Sequence, residues 1–275
     1  MEYEIKYIAT DDNSLVELQH FLKVVFPRTS RFTLDFLRWQ YKENPLGEME
    51  GFNAWHNGRI ISHFAGLPIE MNLFDKKRRG LLCINVSTDP KYQGKKLFKT
   101  LGERTVKYAM DNGYDYMIAV PNANSSHTFL KYLGFYLISP LSVKVGIGNN
   151  IFSDRHFDCY KSWDEKQYRW RLNSPINKYS CSDGCLYSPI SFFAKTISKI
   201  NLFNKTVEEL SQNIGFRPLN LYIGLGADTS RGFYFNMPSF IKRPPFNLVF
   251  KDFTGEIPPM QKENVFIQLI DLDTI

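Results

Sequence analysis

The residues best suited by type and order to meet a charged ligand run from Val86 to Phe98: Val-Ser-Thr-Asp-Pro-Lys-Tyr-Gln-Gly-Lys-Lys-Leu-Phe. A β-branched run breaks at Pro90 into a short basic turn, and a helix follows. The first amides of a helix have no internal partner and sit at the positive end of its dipole, so a pyrophosphate placed there gains hydrogen bonds and charge stabilisation together. Lys91, Lys95 and Lys96 add mobile positive charge. The same order of residues also suits an ordinary strand-to-helix connection with a solvated basic face. His63 is the second group suited to chemistry: it lies on a strand flanked by Ile60, Ile61 and Phe64. An imidazole with its ordinary pKa of about 6.5 exchanges protons near neutrality, although a packed ring without a chemical role is the other reading. The sequence has no Gly-x-Ser-x-Gly elbow, no HExxH, no GxGxxG after a strand and no Walker loop, each of which would signal another reaction class.

The chain that must position these groups has 275 residues, enough for one large domain or two modest ones, each with a real core. A hydrophobic share of 43% and a charged share of 23% exclude a disordered or fibrous protein. The abundant aromatics, Phe 23 and Tyr 15, are expected chiefly in packing. No apolar run approaches the roughly 18 residues of a membrane span. The charged start Met1-Glu2-Tyr3-Glu4 lacks the form of a signal peptide, so a cytoplasmic location is expected. Cys83, Cys159, Cys181 and Cys185 are too irregularly spaced for a disulfide framework or a CxxC pair, and are read as reduced thiols without a metal. The formal net charge of +6 suits a partner carrying phosphate: a nucleotide cofactor, a sugar nucleotide or RNA. No RNA-module signature stands out, which argues against nucleic acid.

Periodicity then supplies the elements. Tyr3 to Ile8 alternates as a strand, and Asp11 to Asn13 offers caps for a helix carrying Leu15, Leu18, Phe21, Leu22 and Val25 that Pro27 ends. Thr33 caps a second helix through Tyr41, stopped by Asn44-Pro45-Leu46-Gly47. Phe52 to Trp55, Asn57-Gly58 and Arg59 to Met71 predict a hairpin. Gly80 to Thr88 is apolar enough for a central, doubly covered strand. After the basic turn, Leu97, Leu101, Val106, Ala109 and Met110 mark one helix face, which Asn112-Gly113 terminates. Tyr116 to Val120 is expected as a buried strand, Ser125 to Leu133 as a helix closed by Gly134, and Leu137 to Val145 as one further strand. That order places the anion-ready helix start at the carboxyl end of a central strand, where ligands settle in open α/β sheets.

Beyond about Asn149 the pattern is less regular. Helices are expected over Asp158 to Leu172, Ser188 to Ile200 and Thr206 to Ile214, and strands over Leu219 to Leu225, Phe246 to Phe250 and Val265 to Ile270. The pairs Pro244-Pro245 and Pro258-Pro259 separate the late strands. One echo links the parts: Arg38-Trp39-Gln40-Tyr41-Lys42-Glu43-Asn44-Pro45 is similar to Arg169-Trp170-Arg171-Leu172-Asn173-Ser174-Pro175, as a degenerate internal duplication or as coincidence.

Three stretches within residues 1 to 147 resemble the GNAT superfamily of acyl-coenzyme A dependent N-acyltransferases. Thr88 to Phe98 is similar to its strand, turn and Gln/Arg-x-x-Gly-x-Gly/Ala loop. Pro121-Asn122-Ala123-Asn124-Ser125 followed by Phe129 and Leu133-Gly134-Phe135 is similar to the family's next strand, helix and Gly-Phe. Trp39-x-Tyr41 with Asn44-Pro45-x-Gly47, and an acidic ending with Asp271 and Asp273, resemble a branch associated with bacterial surface polysaccharide synthesis. The resemblance implies an α/β fold: a GNAT-like mixed central sheet flanked by helices as a catalytic domain over 1–148, and a second, smaller GNAT-like α/β half over 149–275 that contributes to the acceptor site.

It also implies roles. The backbone of Val86, Ser87 and Thr88 would pair with the pantetheine arm, and the amides of Gln93, Gly94, Lys95, Lys96, Leu97 and Phe98 would seat the pyrophosphate, with Ser125 nearby. Lys96 and Phe98 stand where the family usually has Gly and Gly or Ala, and Leu130 where a thiolate-protonating Tyr is common. Transfer needs a neutral amine, a polarised carbonyl and a place for the thiolate's charge. The strand amide near Val86 or Ser87 would polarise the carbonyl, and His63 would act as base. Tyr132 would protonate the thiolate, or simply pack. Asn122 would hold a water or a carbonyl oxygen, or only cap a helix. Glu43 would grip the acceptor amine, or merely end a helix in solvent. The co-substrate implied is acetyl-CoA or another acyl-CoA, and the acceptor a nucleotide-linked aminosugar. Two alternatives stay open: a Fem-type transferase that uses aminoacyl-tRNA, and a non-catalytic GNAT-like scaffold.

Overall fold

Asn57 and Gly58 take φ angles of 49° and 71°, the left-handed values of a two-residue turn, and join strand β2 (Glu50–His56) to the long β3 (Arg59–Leu73). The computed structural model that contains this hairpin describes residues 2–152, 155–199, 211–228, 232–237 and 246–272. β1 (Glu4–Tyr7) pairs with β2, and β4 (Lys76–Thr88) lies antiparallel to β3. β5 (Tyr116–Ala119) is parallel to β4. Helix α1 (Asp12–Val25) starts where Asp11 accepts hydrogen bonds from the amides of Asn13 and Ser14, and α2 (Leu34–Tyr41) where Thr33 accepts from Phe36 N–H. Both cover one face of this sheet, with Leu15, Leu18, Phe36 and Leu37 in its core. Helices α3 (Leu97–Asp111) and α4 (Ala123–Lys131) cover the other, burying Leu97, Leu101, Ala109 and Phe129 against Phe64, Leu81 and Met117. Gly113, at φ 75°, ends α3 as expected.

The strand expected over Leu137 to Val145 is two strands, because the chain changes sheets at Leu141. β6 (Tyr136–Pro140) stays with the first sheet, whereas β7 (Ser142–Ile147) pairs with β12 (Leu219–Leu225) and β13 (Phe233–Asn236) in a second. A late strand makes the return crossing: β14 (Asn247–Asp252) lies between β5 and β6. Each sheet thus has an inner strand from the other end of the chain. The second sheet continues from β12 to a parallel β11 (Ala194–Lys199), then β10 (Cys185–Pro189) and β9 (Ser180–Ser182). β8 (Cys159–Lys161) and β15 (Val265–Gln268), parallel to one another, link β3 to β12.

Several helix expectations in this half are corrected. Ser188 to Ile200 is not a helix: Pro189 ends β10, a bend follows in which Ser191 Oγ accepts from Ala194 N–H, and the β-branched pair Thr196 and Ile197 lies in β11. Asp158 to Leu172 contains β8 and only then helix α5 (Glu165–Leu172), since the cap is Asp164, whose carboxylate accepts from Gln167 N–H. Thr206 to Ile214 lies outside the described residues up to 210, and 211–214 is irregular. The last expected strand stops at Gln268, where a helical turn over Leu269–Leu272 begins.

The sequence echo meets itself in space. Trp39 of α2 and Trp170 of α5 stack with centroids 4.6 Å apart, and each indole N–H donates to the other's backbone carbonyl, at 2.8 and 2.9 Å. The α/β architecture is therefore a mixed sheet flanked by helices, with a smaller half built on a related strand order.

Candidate active site

β4 and β5 stay paired from Gly80↔Tyr116 to Cys83↔Ala119, after which β5 ends while β4 runs on to Thr88. The strands part there, and the backbone of Val86 to Thr88 loses its neighbour on that side. A bulge assists the parting. The register of β4 on β3 shifts between His63↔Ser87 and Ala65↔Ile84, and Asn85 sits at φ 53°. Beyond Thr88 comes a single 3₁₀ turn, Pro90–Tyr92, capped by Asp89, whose carboxylate accepts from Lys91 N–H at 2.8 Å.

The start of α3 differs from those of α1, α2, α4 and α5. Its cap residue is Lys96, at φ 60°, whose side chain makes no capping hydrogen bond. Those donors are left for water or a ligand. Gly94 has φ 77°, and a Cβ there would meet nothing within 4 Å, so its glycine identity answers to backbone shape and to the open space over the loop.

Around this helix start lies a cleft of about 710 Å³. It brings together Val86, Ser87, Thr88, Gln93, Gly94, Lys95, Lys96, Leu97, Phe98, Asn122, Ser125 and Tyr132. Lys99, Val25, Phe26 and Tyr92, which sequence reasoning missed, complete much of the wall. Lys99 lies in the first turn of α3, and its place among the clustered lysines was a signal that sequence alone could have flagged. Among the described lining residues none is a carboxylate or an imidazole, so lysine ammoniums set the charge.

The side chains differ in their availability. Leu97 is core, and Phe98 turns inward to pack edge-on against Phe64 and Phe129, so these two offer backbone rather than side chain to the cleft. Ser87 Oγ donates to Asn85 O, and Thr88 Oγ1 is 2.8 Å from Ser62 Oγ. Asn122 Oδ1 accepts from the amides of Asn124 and Ser125 and from Ser125 Oγ, which makes it the cap of α4. Tyr132 is 45% exposed, with the ammoniums of Lys99 and Lys131 over its ring. Leu130 does not line the cleft.

His63 lies elsewhere. Its ring has no exposed surface, Nδ1 is 2.6 Å from Asn53 Oδ1 and Nε2 is 2.9 Å from Tyr41 OH. Burial lowers its pKa to about 3, so it is neutral at physiological pH and meets neither acceptor nor solvent. The expectation of a base in contact with the acceptor is not what the geometry gives. The alternation that draws notice to His63 on a strand carries no information about which face is sealed, and Tyr41 and Asn53 come from distant segments.

Comparison with known proteins gives this geometry a context. Residues 6–138 match the family described as an acetyltransferase (GNAT) domain. No curated protein sequence matches the chain. Among solved structures, a probable N-acyltransferase of Enterococcus faecalis is similar over 92% of this chain and 73% of its own, with a TM-score of 0.62 and 10% identity. A GCN5-related N-acetyltransferase of Anabaena variabilis is similar over 92% and 74%, with a TM-score of 0.59 and 9% identity. A glucosamine N-acetyltransferase region of a fungal multi-domain β-N-acetylglucosaminidase covers 91% of this chain and 38% of that one, TM-score 0.50 and 10% identity. At such identities the likeness establishes a fold, and it extends over both halves. Residues 6–138 thus match the GNAT acetyltransferase domain, and the two-part fold around them is similar to that of solved N-acyltransferase structures.

Proposed function

We propose that the protein transfers an acetyl or other short acyl group from acyl-coenzyme A to the amino group of an aminosugar, most simply one linked to a nucleotide, in the cytoplasm and for surface polysaccharide. The observation that carries this reading is the uncapped start of α3 facing a lysine-lined cleft beside the parted end of β4. A diphosphate seats on the amides from Gln93 to Phe98, with Lys95, Lys96 and Lys99 around it. The pantetheine arm runs along Val86 to Thr88 as a further strand, and an amide near Val86 or Ser87 polarises the thioester carbonyl. The acceptor nitrogen attacks that carbon, the C–N bond forms, the C–S bond breaks, and the departing sulfur takes a proton from Tyr132. Asn122 and Ser125, at the cap of α4, hold water at the same rim. The amine gives up its proton to solvent, since His63 is sealed away.

Lys96 in the left-handed conformation and the inward Phe98 leave room over the loop despite the departures from the family pattern, which favours an active enzyme over a decayed scaffold. The second half, joined through Trp39 and Trp170, walls the acceptor side. The glucosamine acceptor of the fungal relative supports an aminosugar here. Calorimetry with coenzyme A tests the donor: absence of binding removes the reading. Thiol release from acetyl-coenzyme A across a panel of nucleotide aminosugars tests the acceptor, and silence removes it. Binding of aminoacyl-tRNA that falls steeply with salt would favour the Fem-type alternative instead.

A further inference from the structure

The bulge in β4 is held from behind by a continuous set of polar side chains, buried except for the half-buried Asn85, that the proposed chemistry does not use. Asn53 Oδ1 can only accept, so His63 carries its proton on Nδ1 and donates across 2.6 Å. His63 Nε2 is then an acceptor, and Tyr41 OH donates to it at 2.9 Å. The Tyr41 oxygen accepts in turn from Asn85 Nδ2 at 3.0 Å, and that same amide donates to Gln40 Oε1 at 2.7 Å. Gln40, Tyr41 and His63 have no exposed surface. With the amides oriented in this way, the donor directions run consistently along the set.

One member of this set is Asn85, the residue at φ 53° on which the bulge turns. Another is His63, whose backbone is the register partner of Ser87, two residues further along the bulged strand. The path therefore closes on itself: from His63 across the ladder to Ser87, back to Asn85, through the Tyr41 hydroxyl and home to the imidazole. Ser87 Oγ donating to Asn85 O at 3.0 Å tightens the same loop. Asparagine tolerates the left-handed region better than most residues, and the half-buried Asn85 amide, with its donors met on two sides, is held there.

We infer that Asn53, His63, Tyr41 and Asn85 are positioning residues that fix the β4 bulge, and with it the direction of the Val86 and Ser87 amides; the catalytic consequence rests on the transfer reaction proposed above. They touch neither donor nor acceptor. Their effect is on the aim of the backbone donor that polarises the thioester carbonyl, and not on the seat of the diphosphate, which lies beyond the 3₁₀ turn.

Tyr41→Phe removes one hydroxyl from the set with little change in packing, and Asn85→Gly keeps the left-handed backbone while removing the amide. Both are compared with the intact protein by calorimetry with coenzyme A, by turnover of acetyl-coenzyme A with the nucleotide aminosugar, and by amide hydrogen exchange over residues 85 to 88. The expected result is a kcat lowered about tenfold or more, because a misaimed oxyanion donor costs rate, with a coenzyme A dissociation constant within about twofold of the parent. Exchange at 86 to 88 should accelerate about tenfold or more in both variants. Unchanged exchange and unchanged kcat overturn the inference, as does a loss of coenzyme A affinity that parallels the loss of kcat. A parent protein that binds coenzyme A but transfers to no acceptor overturns the transfer reading alone, and the exchange arm still decides whether the bulge is held from His63.

Discussion

The two sheets share a plan, and among the described residues the first leads from its parallel pair into a lysine-lined cleft at an uncapped helix start. Each contains a parallel pair, β4 with β5 and β11 with β12, and each accepts an antiparallel strand from the opposite end of the chain, β14 in the first and β7 in the second. The segments connected to these pairs differ. In the first half β4 overruns its partner by several residues and passes through a glycine and lysine loop into an uncapped helix start. In the second, the described residues before β12, 211–218, are irregular, and Phe193 O accepts from Leu219 N–H to close the strand start. Strand order supplies a place for a ligand, and the connecting loop decides whether there is anything to bind it.

Loss of the indole stack separates the stability of the halves from the chemistry of the cleft. Trp170→Ala should cost about 3 kcal/mol in urea unfolding by removing a stacked, hydrogen-bonded indole, while coenzyme A affinity stays within about twofold. A parallel fall in affinity would show that the halves are not separable in function. Gly94→Trp should do the converse: calorimetry should show coenzyme A affinity lowered about a hundredfold, and thermal unfolding should show a small shift, because φ there is unfavourable for a side chain but the space is open.

Acid sharpens the contrast from within the first core. His63 has its pKa lowered to about 3 by burial, below its ordinary value of about 6.5, so the unfolded chain binds the extra proton. Stability from this group is complete above about pH 6.5 and falls by about 1.4 kcal/mol per unit as pH drops toward 3. Denaturation monitored across that range should show the slope, and His63→Gln should flatten it. Lys95→Gln with Lys99→Gln should weaken coenzyme A binding about tenfold at low ionic strength, with the difference shrinking as salt is added. The smallest effect is Lys96→Gly, which should raise stability by up to about 1 kcal/mol in thermal unfolding by relieving a left-handed lysine at φ 60°.

The first half was legible from sequence because its signals are local. Asp11, Thr33, Asn57-Gly58 and Gly113 each act within a few residues, and all four punctuate the structure where the residue types predicted. The loop from Gln93 to Phe98 was legible for the same reason, since a helix start, a glycine and clustered lysines are near neighbours. Long-range pairing hid the rest. Nothing near Leu141 announces that the chain leaves one sheet for another, and the apolar spacing of Ser188 to Ile200 fits a helix until β10 pairs with β11. The sealed position of His63 was hidden for the same reason: its partners Tyr41 and Asn53 come from distant segments, which no pattern around residue 63 can reveal.

The crossing of β7 and β14 also bears on how the molecule is made. During synthesis the first sheet has its outer strand, β6, long before the strand that belongs beside it, and the gap between β5 and β6 cannot close until residue 252 has left the ribosome. The nascent lobe must wait with two unpaired edges, a state prone to wrong partners. The gap in the first sheet therefore closes only after β7, β12 and β13 of the second have all been made, which leaves its assembly late and vulnerable to interruption.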